Sequence, residues 1–194
     1  MRVIKKRQDL DDVLFFLKDV IDRDKSLPGY LFKKEFSKFS FITFDELFMP
    51  DFFSKLCRYV KVSGDSGFFL AVVDPDPMLY FGSNFDFYGI FEFSPTDAIE
   101  SYISSINEYP KCSPADAIAH NSNSLIFFSK KKDWAIYGSR TSDIAICAFE
   151  NSRKQECFQS IFGDSLLPGI EAAAIYGYPE DELARLQLIS SYQG

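Results

Sequence analysis

The chain has 194 residues, of which 46% are hydrophobic and 25% charged. That is long and apolar enough to bury a core, which excludes disordered, collagen-like and coiled-coil classes. Lys and Arg total 21 against 28 Asp and Glu, a net charge of −7 with a sequence pI near 4.8, the opposite of the basic footprint of a nucleic-acid-binding domain.

The N-terminal segment carries Lys5, Lys6 and Arg7, but Asp9, Asp11 and Asp12 follow before any apolar run. No secretory signal and no membrane span is expected, and a cytoplasmic location follows. Cys57, Cys112, Cys147 and Cys157 show no Cys-x-x-Cys spacing and read as free thiols, Cys147 in a core strand. Leu10, Val13, Leu14, Leu17, Val20 and Ile21 recur every three or four residues, which predicts a helix that ends before Leu27-Pro28-Gly29. The stretch with Phe32, Phe36, Phe39 and Phe41 has no assignable state. Thr43 is placed to cap a short helix through Leu47. Pro50 opens another, with Phe53, Leu56, Cys57 and Val60 on one side.

Strand character follows. Gly67 to Val73 is apolar on both faces and suits a central strand. Asp74-Pro75-Asp76-Pro77 is a turn, because two prolines deny the ladder its donors. Met78 to Phe81 and Phe85 to Phe93 read as strands joined by Gly82-Ser83-Asn84. Ser94-Pro95-Thr96-Asp97 has the composition of a helix start, with Ala98, Ile99, Tyr102, Ile103 and Ile106 as the buried stripe and Pro110 as the stop. Ser113-Pro114-Ala115-Asp116 repeats that start. Leu125 to Phe128, Trp134 to Tyr137 and Asp143 to Phe149 are three more strands, whose short linkers require antiparallel neighbours. Asn151 to Phe162 and Pro179 to Ser190 are helical, with a turn around Glu171 to Ile175. The whole is read as one α+β domain, residues 1–194, with an antiparallel sheet of about five strands flanked by helices.

No motif for chemistry emerges. His120 is the only histidine, with Cys112 eight residues before it, and neither the spacing nor the surroundings specify a nucleophile–base pair. The dispersed cysteines give no zinc pattern, and Asp74 and Asp76 are followed by no calcium-loop sequence. No phosphate-cradling glycine motif occurs. Catalytic, cofactor-binding and metal-binding residues are therefore expected to be absent. What remains is an acidic surface able to steer a basic partner, with Asp74, Asp76, Glu180, Asp181 and Glu182 as the candidate partner-binding residues. The 22 phenylalanines and ten tyrosines supply a core, with any surplus available for docking.

The segment Lys132-Asp133-Trp134-Ala135-Ile136-Tyr137-Gly138-Ser139-Arg140, followed by Ile144-Ala145-Ile146, resembles a hairpin found in bacterial immunity proteins of polymorphic-toxin and contact-dependent growth inhibition systems. The resemblance covers fewer than twenty residues. It implies a non-catalytic inhibitor that binds a cognate toxin domain, such as a basic nuclease, and occludes its active site. No cofactor, nucleic acid or membrane is involved. The binding surfaces of such proteins diverge, so no functional residue is carried over, and Trp134 and Tyr137 are expected to be structural. The alternative is a non-catalytic interaction or regulatory subunit without a toxin partner.

Overall fold

The computed structural model describes residues 1–193. Seven strands form its sheet: β1 (Arg2–Val3), β2 (Lys38–Thr43), β3 (Phe68–Asp74), β4 (Ile90–Phe93), β5 (Ser124–Ser129), β6 (Trp134–Ser139) and β7 (Ile144–Phe149). Their order across the sheet is β1-β4-β3-β5-β6-β7-β2, and every neighbouring pair is antiparallel.

Successive side chains of a strand point to opposite faces, and here both faces are covered. Phe68, Leu70 and Val72 of β3 join Phe127, Trp134, Ile136 and Cys147 in one core. Helices α2 (Pro50–Val62), α3 (Ile99–Asn107) and α5 (Ser152–Phe162) pack on it with Phe52, Phe53, Tyr102 and Phe158. Phe69 and Ala71 join Ile126, Phe128, Tyr137 and Ile146 in a second core on the opposite face. That face is covered by α1 (Arg7–Val20), the phenylalanines at 32 and 36, α6 (Ile170–Gly177) and α7 (Glu182–Tyr192). The two-sided cover explains why β5, β6 and β7 are buried at every position. It also absorbs the aromatic surplus, since only Phe15 and Phe16 of the 22 phenylalanines are exposed. Burying each such ring contributes roughly 1.5–3 kcal/mol.

The sheet therefore has seven strands rather than about five. Lys38–Thr43, within the unassigned phenylalanine stretch, forms the outer strand β2 beside β7. Its free edge is partly closed by Leu167, whose N–H donates to the carbonyl of Phe41 at 2.8 Å. The two-residue β1 was not expected. Met78 to Phe81 is not a strand but lies in a wide helical turn, Pro77–Gly82, started by hydrogen bonds to the Asp76 side chain. Only Ile90–Phe93 of the expected Phe85–Phe93 strand enters the ladder.

The expected helix caps differ as well. The Ser94 N–H donates to the Asp97 carboxylate at 2.7 Å, which closes a turn, and α3 begins only at Ile99. Thr43 ends β2, and the short helix after it, Asp45–Phe48, starts from Phe44 with no side-chain cap. After the repeated Ser-Pro start come a single turn, Pro114–Asp116, and the short helix α4 (Ile118–Asn121). The turn expected around Glu171 to Ile175 is a full helix, α6. All four cysteines are free, and Cys147 is buried in β7. No helix among the described residues is long and apolar enough to cross a membrane.

Candidate functional site

The hairpin of β6 and β7 lies inside the molecule. Trp134 is fully buried, and its indole N–H donates to Asp65 Oδ2 at 2.9 Å. Tyr137 is buried too. Gly138 has no room for a side chain, since a Cβ there would run into Leu47 and the Phe44 ring. Arg140 turns back to donate to the carbonyls of Ser122 (2.9 Å) and Ala119 (2.8 Å), with its guanidinium 4.9 Å from the Phe44 ring centroid. These residues hold the sheet and α4 together and present little to a partner.

The candidate acids occupy two separate places. Asp74 ends β3, is exposed, and accepts a hydrogen bond from Asn123 Nδ2 at 3.1 Å. Asp76 is more occupied. One oxygen accepts from the N–H groups of Met78 and Leu79, each at 2.8 Å, and the other meets Arg23 Nη2 at 2.5 Å. Burial lifts the Asp76 pKa, but those N–H donors and the guanidinium outweigh it and hold the carboxyl below its ordinary 3.8. Asp76 organises its own loop. Arg23, Asp24, Lys25, Asp74, Asp76 and Tyr137 line a groove of about 480 Å³ in which charges of both signs mix.

Glu180 and Asp181 lie between α6 and α7, Glu182 opens α7, and all three are exposed. Asp181 caps α7 by accepting from the Ala184 N–H at 2.9 Å. Among the described residues, no ion pair engages Glu180, Asp181 or Glu182. With Tyr178, Pro179 and Leu183 they line a shallow surface depression of about 520 Å³. The one arginine nearby, Arg185, donates to the Pro179 carbonyl at 2.8 Å.

The sequence reading missed what surrounds this turn. Leu183 is 80% exposed, Leu186 56% and Ile175 60%. Ala184, Leu188 and Tyr192 make the buried stripe of α7. Leu183 and Leu186 lie three residues apart, off that stripe, so a helical projection of the last helix would have shown them turned outward.

A third place is an apolar cleft of about 220 Å³ lined by Val3, Phe85, Phe87 and Phe91 with Lys5 and Lys111 among its polar residues. Lys111 and Cys112 beside it have left-handed backbone, φ 49° and 62°. The Lys111 ammonium lies 5.9 Å from the Phe85 ring centroid.

Cys112 and His120 are both exposed, and among the described residues no hydrogen bond joins them. Burial, with the Asp97 charge adding to it, pushes the Cys57 thiol up to about 12, and burial alone raises Cys147. Among the described residues no group of three or more His, Cys, Asp or Glu side chains is placed to hold a metal ion.

No protein-family model matches the chain, and neither the curated proteins nor the solved structures provide a match.

Proposed function

We propose that this chain is an immunity-type inhibitor that binds a basic toxin domain and blocks it by occlusion, acting in the cytoplasm through contact and not through turnover. The observation that carries the reading is a local excess of negative charge in the C-terminal segment. From Gly163 onward the sequence holds five acids, Asp164, Glu171, Glu180, Asp181 and Glu182, against one arginine, which is four of the seven units of net charge. Before Gly163 acids and bases are nearer to balance, and some of the bases pair with acids: Lys154 with Asp133 (2.6 Å), Arg2 with Glu92 (2.6 Å), Lys34 with Glu150 (3.4 Å), and Lys132 with Asp19. Three of the C-terminal acids, Glu180, Asp181 and Glu182, stand in a row, exposed and without an ion pair among the described residues, where they can steer a basic partner and occupy its phosphate-binding groups.

Co-expression with the toxin encoded beside the gene tests the reading. Protection of the host and a stable complex of the two purified proteins are expected. A toxin that kills equally well in its presence would overturn the proposal, and a regulatory interaction module would then be the better description.

A further inference from the structure

The first helix of the C-terminal hairpin is built inside out. α6 has the sequence Ile-Glu-Ala-Ala-Ala-Ile-Tyr-Gly, yet it buries the alanines Ala173 and Ala174 and turns Ile175 and Tyr176 to solvent. A helix that is apolar around most of its circumference is ordinarily covered on all sides. The small inner residues let α6 lie close to the sheet, and Gly177 extends that close approach: a Cβ there would sit 2.7 Å from the Ser142 carbonyl oxygen. Tyr176 is partly engaged through its hydroxyl, which donates to Asp143 at 3.2 Å. Ile175 has no such polar handle. α7 is buried through Ala184, Leu188 and Tyr192, and it too leaves large apolar side chains, Leu183 and Leu186, standing outward. Large exposed side chains grouped on one element and rimmed by polar residues mark an interaction surface.

The rim determines the partner's chemistry. Glu180 and Glu182 line the surface depression together with Leu183, both exposed and free of ion pairs among the described residues. A neutral apolar partner would bury or crowd these carboxylates without compensation, and an acidic one would be repelled. A partner with an apolar anchor flanked by Lys or Arg satisfies both features.

We propose that the outer face of the α6–α7 hairpin, made by Ile175, Leu183 and Leu186 and edged by Glu180 and Glu182, is the docking surface for a basic protein segment carrying an apolar anchor. This rests on the immunity reading for the identity of the partner, but not for the chemistry of the surface. The acids set the approach and the leucines set the residence time, because long-range charge acts mainly on association and desolvated apolar contact on dissociation.

Two arms test it on the full chain. In the first, methyl NMR follows titration with a leucine–lysine amphipathic peptide and with its leucine–glutamate counterpart. Shifts confined to Ile175, Leu183 and Leu186, with the lysine peptide binding about tenfold or more tighter, are expected. Equal response to both peptides, or shifts centred elsewhere, overturns the surface. In the second arm the inactivated toxin domain encoded beside the gene is the probe. The double variant Leu183→Ser and Leu186→Ser should raise the dissociation rate about tenfold or more. Glu180→Gln with Glu182→Gln should slow association severalfold at low salt and much less at high salt. A toxin bound equally by the wild type and both variants removes the hairpin and leaves the immunity reading intact. A lysine peptide that maps to the hairpin while the toxin is ignored removes the immunity reading and supports the surface.

Discussion

Asp76 and Glu180 both lie in acidic, proline-containing turns, and the fold treats them in opposite ways. The Asp74–Pro77 turn spends its second carboxylate on two backbone N–H groups and the Arg23 guanidinium. The Pro179–Glu182 turn uses only the middle of three acids, Asp181, to cap a helix and leaves Glu180 and Glu182 in solvent. A carboxylate already satisfied by its own chain contributes mainly to stability. One that is exposed and unpaired contributes little to stability and remains available to a partner. The two turns thus separate along a line that residue type alone does not draw.

The sharpest test of that separation concerns what fixes the hairpin. Gly177→Ala introduces a Cβ against the Ser142 carbonyl and the Ile144 side chain, and the backbone must shift to admit it. Overpacking of this kind costs about 1–3 kcal/mol. It also works against the hydrogen bond between the Ser142 and Tyr178 hydroxyls at 2.6 Å. Denaturant unfolding should show the loss, and an unchanged midpoint would mean that the base of the hairpin is looser than its geometry indicates.

On the other turn, Asp76→Ala strips the acceptor from the Met78 and Leu79 N–H groups and leaves Arg23 without its partner. Loss of such a cap costs about 1–2 kcal/mol. The same unfolding measurement checks it. A loss below about 0.5 kcal/mol would place Asp76 with the free surface acids and erase the contrast.

Much of the scaffold is legible in the sequence because its periodicity is strong. The stripe from Leu10 to Val20 becomes α1, and Gly67 to Val73 becomes the interior strand β3 between β4 and β5. Where the expectation fails, a tertiary partner overrides local pattern. Met78 to Phe81 is apolar and aromatic enough for a strand, but the Asp76 side chain captures two N–H groups and the segment is wound into a helical turn. Lys38 to Phe41 alternates polar with apolar residues, a strand signal only four positions long, and pairing with the edge of β7 makes the segment a strand. At the candidate site the acids are visible in sequence, but their state is not. Arg23 lies 53 residues from Asp76, so nothing local distinguishes the occupied carboxylate from the free ones. The outward leucines of α7 were within reach, since a three-residue step off the Ala184–Leu188 stripe is a matter of helix geometry.

Acid should report the occupied carboxylates more gently. In Asp76 and Asp133 burial raises the pKa, but hydrogen bonds and cations prevail. The donors at Asp76 are the Leu79 and Met78 N–H groups and Arg23, and at Asp133 they are Lys154 and the Ser129 hydroxyl. Both folded-state values therefore lie below the ordinary 3.8. A depressed carboxylate adds stability that is fully present above the unfolded pKa and is lost as pH falls through the folded one. Stability should hold near neutrality and decline from about pH 5 downward. Asp76→Asn should remove part of that decline. Thermal unfolding of the wild type and this variant across the range reads the difference, and identical acid profiles would show that the Asp76 carboxylate carries none of it.

The smallest effect expected is the one on which the comparison depends most. Glu180→Gln and Glu182→Gln together remove two charges that make no ion pair among the described residues, so unfolding free energy should move by less than about 0.5 kcal/mol. The loss of like-charge repulsion should be slightly favourable, because three consecutive acids repel one another and their removal relaxes the turn. Glu182 works against this gain, since it lies in the first turn of α7, where a negative charge favours the helix dipole by roughly 0.3–1 kcal/mol. Testing the two substitutions singly resolves the balance: Glu180→Gln should be neutral or mildly stabilising and Glu182→Gln neutral or mildly destabilising. A loss above about 1 kcal/mol from Glu180→Gln would mean that this carboxylate, like that of Asp76, is held by its own chain, and a side chain so held could not be the one that meets a partner.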